Sequence, residues 1–253
     1  MLEIYRHDIA GSFYSWKGGI WIVAASLIFS LVTYLLLTDK ELSLLDQGEM
    51  LFTLAEVILS LGIIMSVITA SSSVSNEIES GTFESLLLTP VTPWKLSFQK
   101  LLTVITIWMV LYIVSIPYLV VVASGTNLGI SAILYLGLYG TLLITGLSAV
   151  SVAISGKLRS SKNSIMTMIM IVLILLAPSI FFASSLKKTD FGLTMENINP
   201  VSHALNSLDS VVVDNEQSLF QQINHLWPVI IFTIVCAVFF TIYTKKYEMK
   251  GLE

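Results

Sequence analysis

The sequence predicts an all-α integral membrane protein with six transmembrane helices. Three observations lead there. The 253 residues are 55% hydrophobic and only 12% charged, whereas a soluble domain carries about 25% charged residues. The apolar residues come in long runs, each about the 20 residues needed to span a bilayer. The runs are continuous rather than alternating, which argues against a transmembrane barrel. The net charge of -4 is small and says nothing about nucleic acid, which is not an expected partner.

The N-terminal segment comes first. Leu2, Tyr5, Ile9, Phe13 and Trp16 recur at helical spacing, while Glu3, Arg6 and Asp8 fall elsewhere. Residues 1–17 therefore read as an amphipathic interfacial helix on the inner leaflet, or as one packed on other protein. The early charges and the lack of a small-x-small exit do not fit a cleavable leader, so the first apolar run is expected to stay as a helix.

Residues 20–37 form the first span, without a charge. The second covers 50–74 and carries one acid, Glu56. The 56 residues 101–156 hold no charged side chain. As one helix they would reach about 84 Å, too long for a single crossing. The turn formers in ASGTNLGIS, residues 123–131, divide them into spans at 101–122 and 132–155. Residues 163–186 and 226–244 supply the fifth and sixth spans.

Lysine and arginine set the direction. With the N-terminus inside, inner segments hold Arg6, Lys17, Lys95, Lys100, Lys157, Arg159, Lys162, Lys245, Lys246 and Lys250. Outer segments hold Lys40, Lys187 and Lys188. Both termini are thus expected in the cytoplasm, with a single transmembrane domain over 1–253. The outer segment 187–225 contains Ile198, Val201, Leu205, Leu208 and Val212, again at helical spacing, after Asn199-Pro200. It reads as an outer amphipathic or re-entrant helix with proline in its first turn.

The most patterned stretch is the inner loop 75–99, which begins NEIESGTFESLLLTPVTPWK at residue 76. Gly81 is placed to end a helix continuing from the second span. Thr82 is placed as an N-cap, with Glu84 in the first turn. A short helix Phe83–Leu88 then presents Phe83, Leu86 and Leu87, and Pro90 and Pro93 stop it. Two readings stay open on physics alone. The cluster lies on headgroups, or it fills a groove on a cytoplasmic partner. Glu77, Glu79 and Glu84 disfavour anionic lipid.

The string NEIESGTFESLLLTPVTPWKLSFQK resembles the signature of type-2 ABC exporter permeases, from Glu77 to Lys100. The six spans, the interfacial helix and the Asn199-Pro200 before the last span resemble that family too. One departure is the acidic run Asn76-Glu77-Ile78-Glu79, where the family often has basic residues. The resemblance implies a prokaryotic plasma (inner) membrane protein. It implies that Phe83–Leu88 is a coupling helix docking on a separate, dimeric cytoplasmic ATPase, with Glu77, Glu79, Gly81, Thr82, Phe83, Glu84, Leu86, Leu87 and Pro90 at the contact. ATP and Mg would sit on that partner and no cofactor on this chain, which lacks a G-x-x-x-x-G-K-[ST] loop. A second permease chain is implied, homodimer or heterodimer. Some relatives relay motion to an extracytoplasmic accessory protein instead of moving a solute.

Inside the membrane, Glu56 reads either as a contact or gate on a translocation path or as a glutamate reaching outer water. Asn199 and Pro200 are candidates for the same outer gate. Pro117 and Pro178 are expected to kink their spans, whereas Pro228 reads as a kink or an N-terminal proline. The fourth span is rich in small residues (Gly137, Gly140, Thr141, Gly146, Ser148, Ala149, Ser151, Ala153), a signal of close helix packing. Met166, Met168 and Met170 suggest a soft-metal site, but on a helix the middle one points away, so filling is the better reading. Cys236 reads as a small buried hydrophobe. His7, His203 and His225 are scattered with no metal spacing, and neither H-E-x-x-H nor G-x-S-x-G occurs.

The expected function is therefore that of a non-enzymatic permease subunit, coupling ATP use by a partner to export or to signalling across the membrane. The alternative is an ATP-independent carrier or assembly scaffold. A carrier predicts internal repeats and several mid-depth polar groups, and the sequence offers one peripheral acid.

Overall fold

A computed structural model describes residues 16–38, 46–82, 92–180, 189–214 and 219–250. The interfacial helix expected over 1–17 lies outside these up to residue 15. Among the described residues every regular element is a helix. They are α1 (Trp16–Thr38), α2 (Gln47–Ser73), α3 (Ser75–Glu79), α4 (Pro93–Val122), α5 (Leu128–Leu158), α6 (Ser161–Ile180), α7 (Asp190–Ile198), α8 (Pro200–Val212) and α9 (Leu219–Lys250). Six stretches are long and apolar enough to cross a membrane, carried by α1, α2 with α3, α4, α5, α6 and α9. An apolar run can only cross as a helix because each backbone N–H and C=O must be satisfied within the segment.

α5 is the centre of the bundle. It packs on α2, α4, α8 and α9, and the small residues of its sequence are what let them approach. The Trp108 indole of α4 lies in a slot between two glycines. A Cβ on Gly62 of α2 would stand 2.4 Å from the ring, and one on Gly140 of α5 would stand 2.5 Å from it. The indole N–H donates to Thr141 Oγ1 at 3.2 Å. A Cβ on Gly146 would meet Phe232 at 3.3 Å, and nearby Thr233 Oγ1 donates to the Leu142 carbonyl at 3.1 Å. α1 is the most peripheral span, and Tyr118 fastens it to α4 by bonding Ser26 Oγ at 2.8 Å.

α4 and α5 are joined by only Ala123–Asn127, with Gly125 at φ 97. The turn is tighter than the nine-residue break expected from sequence, because only glycine adopts that backbone without strain. Pro117, Pro178 and Pro228 all lie inside continuous helices. Pro228 is therefore not an N-terminal proline, because polar residues from Leu219 onward extend α9 before the apolar run starts.

α8 is driven into the bundle by its apolar stripe. Val201, Leu205, Leu208 and Val212 are all buried, against α2, α5, α6 and α9. Ile198, the first member of the same periodic set, is 71% exposed. It belongs to α7, and the break at Asn199 turns it off the stripe. At the far end of α8 the Val212 carbonyl lies 2.6 Å from where a Gly48 Cβ would be, so α2 and α8 touch backbone to backbone.

Candidate functional site

Serines build the site. The run Ser71-Ser72-Ser73 with Ser75 lies where α2 gives way to α3. Ser71, Ser72, Ser73 and Ser75 all turn their hydroxyls back onto carbonyls three or four residues earlier. Such back-bonding competes with the helix ladder and loosens it. The helix breaks at Val74. The Val74 and Ser75 amides donate to Ser155 Oγ of α5, at 3.2 and 2.9 Å. Ser155 in turn donates to Ser75 Oγ at 3.1 Å. All three groups are buried, so these bonds form away from competing water.

α3 is thereby clasped to its neighbours. Ser161, the first residue of α6, donates its hydroxyl to Asn76 Oδ1 and its amide to Glu79 Oε1, the latter at 3.0 Å. Glu77 forms an ion pair with Lys100 of α4, both side chains largely shielded. The turn from α5 to α6 is two residues long, and Arg159 closes it in the left-handed region at φ 53. It is the one non-glycine residue with positive φ among those described. Lys157, the penultimate residue of α5, lies over the Tyr243 ring of α9, 5.2 Å from its centre.

Past the clasp the chain turns out. Ser80 caps α3, and Gly81 follows at φ 72 with open space around it. Thr82 donates its hydroxyl to the Glu77 carbonyl at 3.2 Å and lies beside Ser80 Oγ at 2.9 Å. The expected coupling helix Phe83–Leu88, with Phe83, Glu84, Leu86 and Leu87, and Pro90 after it, lies outside the described residues. Its two roots are described. α3 leads into it, and α4 receives it at Pro93, in the first helical turn. All the described lysine and arginine side chains (Lys95, Lys100, Lys157, Arg159, Lys162) lie at this same end of the bundle.

The other candidates lie elsewhere. Glu56 is half-buried, in the third turn of α2 from the opposite end. Asn199 is 6% exposed and works as a fastener. Its Oδ1 accepts from the Val201 amide at 3.0 Å, capping α8, and its Nδ2 donates to the Leu175 carbonyl of α6. Pro200 is buried beside it in the first turn of α8. The methionines diverge, with Met168 buried and Met166 and Met170 exposed at 58% and 62%.

Two features escaped sequence reasoning. Ser155 carries no motif, and its pairing with Ser75 depends on α2 and α5 lying side by side. His203 and His225, scattered in sequence, meet with their Nδ1 atoms 3.3 Å apart. The signal that could have found them is α8 folding back along α9, as Ser207 donating to Gln222 at 2.7 Å also reports.

A family model described as ABC-2 family transporter protein matches residues 3–252. The chain belongs to the ABC-2 transporter family. It is thus a multi-pass membrane protein of the permease type, and its six apolar spans are those of an ABC transporter's membrane subunit. No curated protein matches the chain. For this ABC-2 permease the clasp at α3 is a polar network, buried at Ser75 and Ser155, that directly precedes segment 83–91.

Proposed function

We propose that this chain is the permease half of an ATP-driven exporter and that its coupling segment, residues 83–91, docks on a separate ATPase dimer. The observation that carries the reading is the clasp. Segment 83–91 is continuous with α3, and α3 is bonded to the first residue of α6, to Ser155 of α5 and to Lys100 of α4. Force applied to the segment therefore reaches three spans through short, directed bonds. Work is done only if nucleotide binds the two conformations of the complex with different affinity.

In this reading Phe83, Leu86 and Leu87 fill an apolar groove on the ATPase, with Glu84 and Pro90 holding their turn. Glu77, Glu79, Gly81 and Thr82 form the root. ATP and Mg sit on the partner alone. The protein works in a prokaryotic plasma membrane with both termini cytoplasmic, and the lysine- and arginine-bearing end supports that direction. A second permease chain, identical or not, completes the pathway. Glu56 and the Asn199-Pro200 corner lie toward its outer mouth. Movement of a solute and relay to an extracytoplasmic accessory protein are both served by the same mechanics.

The test is co-purification. Phe83→Asp and Leu87→Asp each place a charge in the docking cluster. An ATPase that co-purifies with the unaltered chain is expected to be lost from the purified complex, and ATP hydrolysis with it. An intact complex with unchanged hydrolysis overturns the docking role.

A further inference from the structure

At the end of the bundle opposite the clasp, two packed helices share a pair of imidazoles. His203 lies on α8 and His225 on α9. Their Nδ1 atoms are 3.3 Å apart, and both rings are half-buried. His203 Nε2 lies 2.9 Å from the Asn197 carbonyl. A carbonyl only accepts, so Nε2 carries the proton and His203 Nδ1 presents a lone pair toward His225. Metal-binding histidines are commonly held this way, with the far N–H on a backbone carbonyl that fixes tautomer and ring orientation.

We propose that His203 and His225 form a two-histidine site for a borderline divalent transition-metal ion of the Zn2+ or Ni2+ class. The nitrogen separation fits one shared ion once the two rings rotate to aim both lone pairs at it. Two nitrogens, each about 2.0–2.1 Å from a tetrahedral ion, stand about 3.3–3.4 Å apart. The rings therefore need no change in nitrogen separation to chelate. Without metal the His225 Nδ1–H donates to His203 Nδ1. With metal, His225 carries its proton on Nε2 instead, so the rings stay neutral and no net proton is released. Two protein ligands leave the remaining positions to water, which makes the site exchangeable rather than a closed structural centre. A bound ion would staple α8 to α9, adding to the Ser207–Gln222 bond one side-chain turn away.

The probe is Zn2+ itself, on the full chain in lipid nanodiscs, purified with a tag free of histidine. The expected result is saturable binding of one ion per chain and a rise in thermal unfolding temperature. His203→Gln and His225→Gln should each weaken binding by at least about tenfold, since even second-shell losses cost 10–100-fold. A separate measurement uses the unaltered chain and so does not depend on a variant folding. Zn2+ should protect His203 and His225 together from acylation by diethyl pyrocarbonate. Zn2+ binding that is unchanged in both variants overturns the site. So does acylation of His203 and His225 that millimolar Zn2+ leaves unslowed, or slows no more than that of His7.

Discussion

At the scale of single residues, the tightest constraint is the pair of glycines around Trp108. Adding a methyl at either position places carbon inside contact distance of a rigid ring that has no flexible end to withdraw. Gly140→Ala is expected to lower stability by about 1–3 kcal/mol, the usual cost of overpacking a filled core. Thermal unfolding in detergent checks this. Pairing the change with Trp108→Leu should recover part of the loss, and full additivity would show that the slot is not the cause. Ser155 supplies a second case. Ser155→Ala leaves the buried Val74 and Ser75 amides without this acceptor. An unmet buried donor costs about 1–3 kcal/mol. Arg159 supplies the opposite sign. Its left-handed backbone favours glycine, so Arg159→Gly is expected to hold or raise unfolding temperature by relieving a strain of about 1 kcal/mol, while Arg159→Val lowers it.

At the scale of elements, the α3 clasp and the α8 insertion behave differently. α8 is held mainly by burial, since Val201, Leu205, Leu208 and Val212 are all covered. Leu208→Asp places a charge where no water reaches and is expected to prevent assembly of the bundle, read as aggregation on size exclusion. α3 is held by polar bonds, which can be exchanged between two arrangements. Glu77→Gln takes an ion-pair partner from the largely shielded Lys100, so it should destabilise more than Glu77→Gln with Lys100→Gln together. The same single change, in the full complex, should leave ATPase bound while weakening the stimulation of hydrolysis by transported compounds. Loss of the ATPase itself would place Glu77 at the interface rather than in the transmission.

Much of this level was legible from sequence. The stripe on α8 follows from helical spacing, and the role of Asn199-Pro200 in starting it follows from capping chemistry. Gly81 ends its helix as glycine in that setting does. What sequence could not give was partnership. Ser75 and Ser155 lie on different spans, as do Trp108, Gly62 and Gly140, and local patterns carry no record of which helix lies beside which. His203 and His225 were separated by the same limit. Their meeting follows from a reversal of the chain whose geometry depends on burying the α8 stripe. The coupling helix expected from the sequence lies outside the described residues, so that expectation rests on the sequence alone.

At the scale of the whole molecule, composition decides more than detail. A chain this poor in charge folds in lipid, and the family match over residues 3–252 agrees with the six spans. The lysine and arginine side chains that are described collect at the clasp end, which predicts its side of the membrane. A cysteine placed at Ser85 is expected to resist an impermeant maleimide in intact cells and to react in inverted vesicles. Labelling from outside would reverse the orientation and detach the proposed motor.

Gly48 gives that architecture a mechanical advantage. The backbone contact between Gly48 and the Val212 carbonyl leaves α2 no room to slide at that point, because its neighbours on the helix carry side chains. A tilt of α2 is therefore expected to pivot there rather than slide. The helix α2 runs 27 residues, to the break at Val74. At 1.5 Å per residue that is about 40 Å, and a tilt of about 5° would sweep its far tip through roughly 3.5 Å.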